Sequence, residues 1–202
     1  MKYRVMIDVG HAEGTAARSK FADEHEESRL NALELKAVLE SFTVDTFEVD
    51  VIDFPQKSNG GDLSASVRAA NAKDYDALVS LHCDFSGNVG ARGAHVCFNR
   101  IYKEDGSYVD SVKGKCLAKE VAMRLCAWLP GRADEIQARP DKVKKLGSLA
   151  ILRETRAPAV LVECGFVSNE GDMQVLRSSR HECMRAVALG VAAFCDSLKR
   201  GV

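Results

Sequence analysis

Short apolar runs that alternate with helical patterns constrain the fold of this chain most. Residues 77–81 (ALVSL) and 159–163 (AVLVE) contain mainly aliphatic residues, which is typical of strands covered on both faces. Residues 112–129 instead place apolar side chains on one side of a predicted helix. We therefore predict an α/β fold, a single-domain three-layer sandwich whose mostly parallel or mixed twisted sheet carries helices on both faces. The predicted domain spans residues 1–202.

The same patterns predict the other elements of the chain. Further strands are expected at 3–9, 47–54, 93–99 and 149–153, and further helices from near Glu26, at 63–72, at 170–177 and at 180–199. Residues 55–61 are expected to form a turn, and residues 101–111 are expected to be irregular and exposed. The polar segment 130–145 is predicted to be a surface loop that borders the functional site.

The charge balance and the termini exclude some classes of protein. The 28 Lys and Arg residues nearly cancel the 29 Asp and Glu residues, which argues against a nucleic-acid-binding protein. No apolar stretch approaches the roughly 18 residues that span a bilayer, so no integral membrane segment is expected. Asp8 interrupts the first apolar run, and therefore no signal peptide is predicted.

The seven cysteines indicate where the chain is made. They are scattered and form no C-x-x-C pair, whereas a disulfide framework or a structural zinc site would need paired spacing. Single cysteines inside apolar segments are typical of buried thiols in a reducing compartment. We therefore expect synthesis in the cytoplasm without a signal peptide.

Three predicted strands end in residues that bind metals or transfer protons. These ends are residues 8–11 (DVGH), 81–84 (LHCD) and 162–165 (VECG), and the carboxyl ends of strands in an open α/β sheet can converge. Two imidazoles and a carboxylate are the ingredients of a catalytic zinc site. A lone histidine after a strand is more often structural. A carboxylate after an apolar run costs several kcal/mol to bury unpaired, so it needs a cation, a partner or a role.

The segments IDVGH, SLHCD and LRETRAPAVLVECGFVSN resemble the three signature blocks of the zinc-dependent N-acetylmuramoyl-L-alanine amidases of the type 3 family. The blocks occur in the family's order, and the resemblance covers nearly the whole chain. It implies one catalytic Zn²⁺ held by His11, by a glutamate at the start of the first helix and by His82. It also departs from the family, because His-Ala-Glu stands where members commonly have His-Gly-Gly.

The identity of the glutamate ligand requires a choice among Glu24, Glu26 and Glu27. In the family the ligand usually precedes an asparagine by four positions, a spacing that puts both residues on one helix face. Glu27 and Asn31 match that spacing, so Glu27 is the predicted ligand and Glu26 the second choice. An acidic first turn that only complements the helix dipole is the alternative.

Glu163 matches the catalytic carboxylate of the family. The resemblance implies that it takes a proton from the attacking water and returns that proton to the departing amine. Asp8 could orient His11 or satisfy backbone groups of the loop. Asp84 stands where the family more often has Asn; it is expected to be a turn residue, although a strand that extends this far would place it on the same side as His82, where it could contact the site. Cys83 and Cys164 could bind zinc, but strand alternation points them toward the core. Three more histidines match no block and are expected to be structural or exposed: His25, His95 and His181.

The resemblance implies hydrolysis of the amide bond between N-acetylmuramic acid and L-alanine in peptidoglycan or muropeptides. The expected lack of an export signal, the free cysteines and the lack of an evident wall-anchoring module favour a phage-type lysin that acts on the cell wall after release. A cytoplasmic enzyme that processes muropeptides is equally compatible. Two other functions remain as alternatives. One is a catalytically inactive wall-binding or regulatory module, and the other is a zinc peptidase that cuts within the stem peptide. The sequence does not indicate an oligomeric state.

Overall fold

The computed structural model of the chain describes residues 1–12, 14–53, 61–103, 105–138 and 149–201. The strands are β1 (Lys2–Val9), β2 (Thr46–Ile52), β3 (Ala77–Asp84), β4 (His95–Phe98), β5 (Arg100–Tyr102), β6 (Tyr108–Asp110), β7 (Ile136–Ala138) and β8 (Ala159–Phe166). The helices are α1 (Glu24–Glu40), α2 (Gly61–Ala70), α3 (Val112–Leu125), α4 (Ala150–Arg153), α5 (Glu170–Ser178) and α6 (Arg180–Lys199).

Six strands form one mixed sheet in the order β2-β1-β3-β8-β4-β7. The strands β2, β1, β3 and β8 are parallel to their neighbours, β4 runs antiparallel to β8, and β7 is parallel to β4. The predicted mostly parallel or mixed sheet is therefore confirmed. Because β1, β3 and β8 are parallel, their carboxyl ends lie at the same edge of the sheet.

The two faces of the sheet pack against different helices. Side chains such as Val79 and Leu81 face a core that includes residues of α1, α3 and α6. Side chains on the other face, among them Leu78 and Leu161, pack with residues that include Ile151 of α4. Successive residues of a strand point to opposite faces, so the apolar runs fill both layers and the predicted three-layer arrangement is confirmed.

Helices α3 and α6 approach each other closely at Gly190. A Cβ atom added there would lie 2.7 Å from Cα of Val121 and 2.8 Å from the carbonyl oxygen of Glu120. Real Cβ atoms do not approach backbone atoms so closely, because the repulsion is steep at that separation. The glycine therefore sets the distance between the two helices.

Two predicted segments have a different structure. Residues 149–153, predicted as a strand, begin the short helix α4, which buries Ile151 and Leu152; a short apolar run does not by itself distinguish a strand from a buried helix. Residues 101–111, predicted to be irregular, contain the β5–β6 hairpin. A bidentate ion pair between Arg100 and Asp110 joins its two strands.

Helix boundaries also differ from the prediction. Helix α1 begins at Glu24, two residues before the predicted start, because the side chain of Asp23 accepts a hydrogen bond from the backbone of Glu26 and caps the helix. Helix α3 ends at Leu125 rather than at residue 129. Residues 55–60 of the turn predicted at 55–61 and residues 139–145 of the loop predicted at 130–145 lie outside the described residues. Within the described part of the chain, no helix has the length and apolar character needed to cross a membrane.

Candidate active site

The end of β1 places His11 at the carboxyl edge of the sheet. The preceding Gly10 donates a backbone hydrogen bond to Leu81 of β3 at 2.8 Å, which ties the loop to the neighbouring strand. A Cβ atom on Gly10 would lie 2.5 Å from the ring of His82, so only glycine lets β1 pass this close to that ring. The backbone of His11 has a φ of 60°, a left-handed conformation that is uncommon for residues other than glycine.

Hydrogen bonds hold the strained backbone of His11. The ring nitrogen Nδ1 of His25 lies 3.0 Å from the carbonyl oxygen of His11. The hydroxyl group of Thr15 accepts from the backbone of Ala12 at 3.1 Å and donates back to it at 2.8 Å. His25, predicted to be structural or exposed, is buried and supports the conformation of the loop.

The side chain that joins the two histidines is Glu24. Its Oε1 atom lies 3.2 Å from Nε2 of His11 and 3.2 Å from Nδ1 of His82. Its Oε2 atom accepts a hydrogen bond from the backbone of Ala17 at 3.0 Å. One ligand atom from each of the three side chains lies within 4.8 Å of the others. The three groups therefore surround one small volume at the edge of the sheet.

The residues around Glu24 favour the ionised form of its carboxylate. Burial alone would raise the pKa of Glu24, but its hydrogen bonds to His11 and His82 and their charges outweigh that effect and hold the pKa well below its usual range. Burial lowers the pKa of His82, whereas Glu24, Glu163 and Asp8 raise it more strongly, so the net shift is upward. An anionic oxygen flanked by two imidazole nitrogens is a suitable donor set for a divalent metal ion.

Glu27, the glutamate predicted from spacing, points away from the histidines. Its carboxylate is buried and binds Nε of Arg177 at 2.7 Å and Nη2 of Arg180 at 2.6 Å. Asn31 lies on the same helix face, as predicted, and its side chain also accepts from Arg180. That face meets the start of α6 rather than the carboxyl ends of the strands. The placement of Glu27 beside His11 and His82 is thus corrected to Glu24, and the side chain of Glu26 is exposed.

Glu163 of β8 lies beside His82 across the sheet. The two residues are register partners on parallel strands, and Glu163 is also the partner of His95 on the antiparallel strand β4. Directly paired residues project to the same face, so His82, Glu163 and His95 form a row. Glu163 is 4% exposed. The structure therefore brings His11, His82 and Glu163 to one edge of the sheet and adds Glu24.

A second row of polar side chains lies below the first. Asp8 pairs in register with Ser80 and accepts its hydroxyl hydrogen bond at 2.6 Å. Burial raises the pKa of Asp8, although the hydroxyl groups of Ser80 and Ser66 act in the opposite direction. Asp8 thus forms the buried floor next to the histidines. Cys83 and Cys164 are buried on the opposite face, in the core predicted for them.

A cavity opens beside the cluster. Its volume is about 280 Å³, which is enough for a small part of a ligand. Most of its surface is apolar. Its lining includes the polar residues His11, His82, Asp8 and Ser80 and the apolar residues Leu149 and Ile151.

The sequence is similar to those of cell wall amidases. The chain is 30% identical over 151 residues to an uncharacterized cell wall amidase of Bacillus anthracis, covering 73% of this chain and 26% of the relative. It is 27% identical to the N-acetylmuramoyl-L-alanine amidase CwlM of Bacillus licheniformis, covering 98% of this chain and 65% of the relative. The chain thus spans about a quarter and about two thirds of these two relatives.

Solved structures share the fold. The catalytic domain of CwlV, an N-acetylmuramoyl-L-alanine amidase of Bacillus (Paenibacillus) polymyxa var. colistinus, superposes with a TM-score of 0.75 at 19% identity, covering 96% of this chain and 98% of that chain. The N-acetylmuramoyl-L-alanine amidase of Clostridium difficile 630 gives a TM-score of 0.74 at 22% identity, with coverages of 96% and 97%.

The family assignment comes from the sequence itself. Residues 5–193 match the sequence model of the family described as N-acetylmuramoyl-L-alanine amidase. This match includes all of the strand ends that carry His11, His82 and Glu163. The chain therefore belongs to the N-acetylmuramoyl-L-alanine amidase family.

Proposed function

We propose that this chain is a zinc-dependent amidase that hydrolyses the bond between N-acetylmuramic acid and L-alanine in peptidoglycan or muropeptides. The observation that carries the proposal is the position of Glu163, which lies in register beside His82 while Glu24 bridges His82 to His11. A metal-binding triad with a separate carboxylate at its side is the arrangement that metal-assisted hydrolysis requires. Family membership specifies the amide bond.

The residues present fit one zinc ion. His11, Glu24 and His82 would hold it, since catalytic zinc sites use three protein ligands of the nitrogen and carboxylate type. Glu24 has the depressed pKa that keeps a ligand ionised, and its second oxygen is fixed by the backbone of Ala17. When bound, zinc supplies Lewis acidity toward the substrate carbonyl and toward the attacking water.

Glu163 would carry out the proton transfers of the reaction. Its buried carboxylate can accept a proton from water and return it to the nitrogen of the departing L-alanine. The strand positions of Glu163 and His82 fix the distance between this base and the metal ligands, because both residues lie on a rigid sheet. The adjoining cavity, with its apolar wall of Leu149 and Ile151, would accommodate substrate groups next to the scissile amide.

Digestion of purified peptidoglycan with the zinc-loaded protein tests the activity. Mass analysis should find a newly exposed N-terminal L-alanine on the stem peptide. A cut elsewhere in the stem would instead identify a zinc peptidase. The absence of any product would identify a wall-binding module, an alternative that the complete set of His11, Glu24, His82 and Glu163 disfavours.

Substitution of the base separates chemistry from metal binding. Glu163→Gln should keep one zinc per chain and lower kcat by roughly 10²- to 10⁴-fold, because the proton acceptor is removed. His82→Ala should lose both zinc and turnover. Glu170→Gln is the matched control, since Glu170 is an exposed glutamate in the first turn of α5. Turnover of Glu163→Gln at the level of the control would contradict the assigned base.

The biological setting stays a prediction. A phage-type lysin should release soluble fragments from intact sacculi at least as fast as it cleaves isolated muropeptides. A cytoplasmic enzyme should prefer the isolated muropeptides. Action at the cell wall is a prediction of the same kind.

A further inference from the structure

Glu163 has an imidazole on each side. In the row across the sheet, His82 of β3 lies on one side and His95 of β4 on the other. His95 is 1% exposed and is thus more deeply buried than His82, whose side chain is partly accessible. His95 is not one of the three residues that would bind zinc. Like His82, it is a direct register partner of Glu163 on a neighbouring strand.

Asp84 completes a second cluster around Glu163. A carboxylate oxygen of Asp84, a ring nitrogen of His95 and a carboxylate oxygen of Glu163 lie within 4.8 Å of one another. The distance between Nε2 of His95 and Oδ2 of Asp84 is 3.9 Å. The other oxygen of Asp84 accepts a hydrogen bond from the backbone of Phe85 at 3.2 Å. Asp84, expected to be an ordinary turn residue, therefore faces the buried row.

We propose that His95, oriented by Asp84, is a positioning residue that fixes the Glu163 carboxylate toward the attacking water. The inference rests on the proposed function of Glu163 as the base. One ring nitrogen of His95 lies within 4.8 Å of a carboxylate oxygen of Glu163 and of a carboxylate oxygen of Asp84, and an N–H group there can donate toward the Glu163 carboxylate. A carboxylate held from one side cannot rotate freely, so one oxygen is kept available for the reaction. Such a contact keeps the Glu163 carboxylate in the orientation that the proton transfer requires.

A second metal ion is the competing use of the same three groups. They offer a nitrogen and two carboxylate oxygens, which is a plausible donor set. However, Nη1 of Arg132 lies 3.9 Å from Oδ2 of Asp84, and its guanidinium group stacks over the ring of Phe166. A fixed positive charge at this distance repels a cation. The arrangement therefore favours positioning of Glu163 over metal binding.

Two substitutions of His95 test the proposal. His95→Leu removes both ring nitrogens and keeps a buried side chain of similar volume, whereas His95→Gln retains an N–H donor. The control is Cys97→Ala, because Cys97 is buried on the same strand and pairs with Leu161 rather than with Glu163. Steady-state kinetics on a muropeptide, zinc content and thermal midpoint are measured for each zinc-loaded protein.

The expected result is a selective loss of turnover. His95→Leu should lower kcat by about 10- to 100-fold with KM within about twofold of the wild type, which is the usual cost of losing a group that orients a functional side chain. His95→Gln should recover part of that loss, and zinc should stay at one ion per chain in all variants. If His95→Leu does not fold, Asp84→Asn is expected to reduce kcat by about tenfold at unchanged zinc content.

Three outcomes would overturn the inference. They are wild-type kcat in folded His95→Leu, no recovery in His95→Gln, and two metal ions in the wild type with one lost from His95→Leu. These outcomes leave the proposed function intact as long as the wild type is active and Glu163→Gln is not. A wild-type protein that produces no N-terminal L-alanine would instead refute the proposed function itself.

Discussion

Two buried glutamates three positions apart on α1 have unlike environments. Glu24 faces His11 and His82 at the carboxyl edge of the sheet, whereas Glu27 is neutralised by Arg177 and Arg180. Residues three apart on a helix differ by about 60° in direction, which is enough to turn one carboxylate toward the sheet edge and the other toward α6. Substitution of Glu24 should therefore affect metal binding, whereas substitution of Glu27 should affect stability.

Glu24→Ala should abolish stoichiometric zinc binding, because the oxygen shared by both imidazoles is lost. Glu27→Ala should bind one zinc but reduce the free energy of unfolding by about 3 kcal/mol, since two arginines lose their buried partner. Glu26→Ala is the control, with an exposed side chain and an expected change within about 0.5 kcal/mol. Metal analysis and urea denaturation measure both quantities. Loss of zinc in Glu27→Ala alone would restore Glu27 as the ligand.

The sequence predicts that His11, His82 and Glu163 lie together, but it does not predict that Glu24 joins them. His11, His82 and Glu163 directly follow or lie within apolar runs, so the parallel sheet dictates that they meet. The spacing of Glu27 and Asn31 correctly placed both on one face of α1. It did not reveal which neighbour that face meets, because this depends on how α6 packs. Arg180, about 150 residues away along the chain, decides it.

At the scale of elements, the contact between α3 and α6 depends on one residue without a side chain. Gly190→Ala should push the two helices apart and reduce the free energy of unfolding by about 1–3 kcal/mol, the usual cost of overpacking. The control Leu189→Ala changes a partly exposed neighbour and should have a much smaller effect. Urea denaturation of the metal-free proteins measures the difference. Equal stability of the Gly190 and Leu189 variants would contradict the close approach.

The sequence distinguishes helices from strands where the hydrophobic pattern is long, but not where it covers only a few residues. The pattern of α6 extends over five turns, and its predicted bounds agree with the structure. The four-residue helix α4 has too few residues to display a period, so its apolar sequence alone favours a strand. The Arg100–Asp110 pair joins the two strands of the β5–β6 hairpin, and a pair of charged residues gives no apolar pattern from which a strand could be predicted.

At the scale of the whole molecule, the proposed zinc ion would connect β1, β3 and α1. Since ligand binding to the folded state alone stabilises it, zinc at about 100 times its Kd should add about 2.7 kcal/mol to the free energy of unfolding. The thermal midpoint should rise on adding zinc to the chelator-treated wild type. Glu24→Ala should show no such rise, and Glu170→Gln should respond as the wild type does. A zinc-independent midpoint in the wild type would exclude a folded-state site.

The left-handed backbone at His11 limits which residue types suit this position. A φ of 60° is uncommon for residues other than glycine, and histidine, asparagine and aspartate adopt it several-fold more often than the others. His11→Asn should therefore change the free energy of unfolding of the metal-free chain by no more than about 0.5 kcal/mol while removing the proposed zinc ligand, whereas His11→Val should lower it by about 1–2 kcal/mol. Urea denaturation and metal analysis measure the two effects. The backbone thus favours a few residue types here, of which histidine alone also supplies an imidazole.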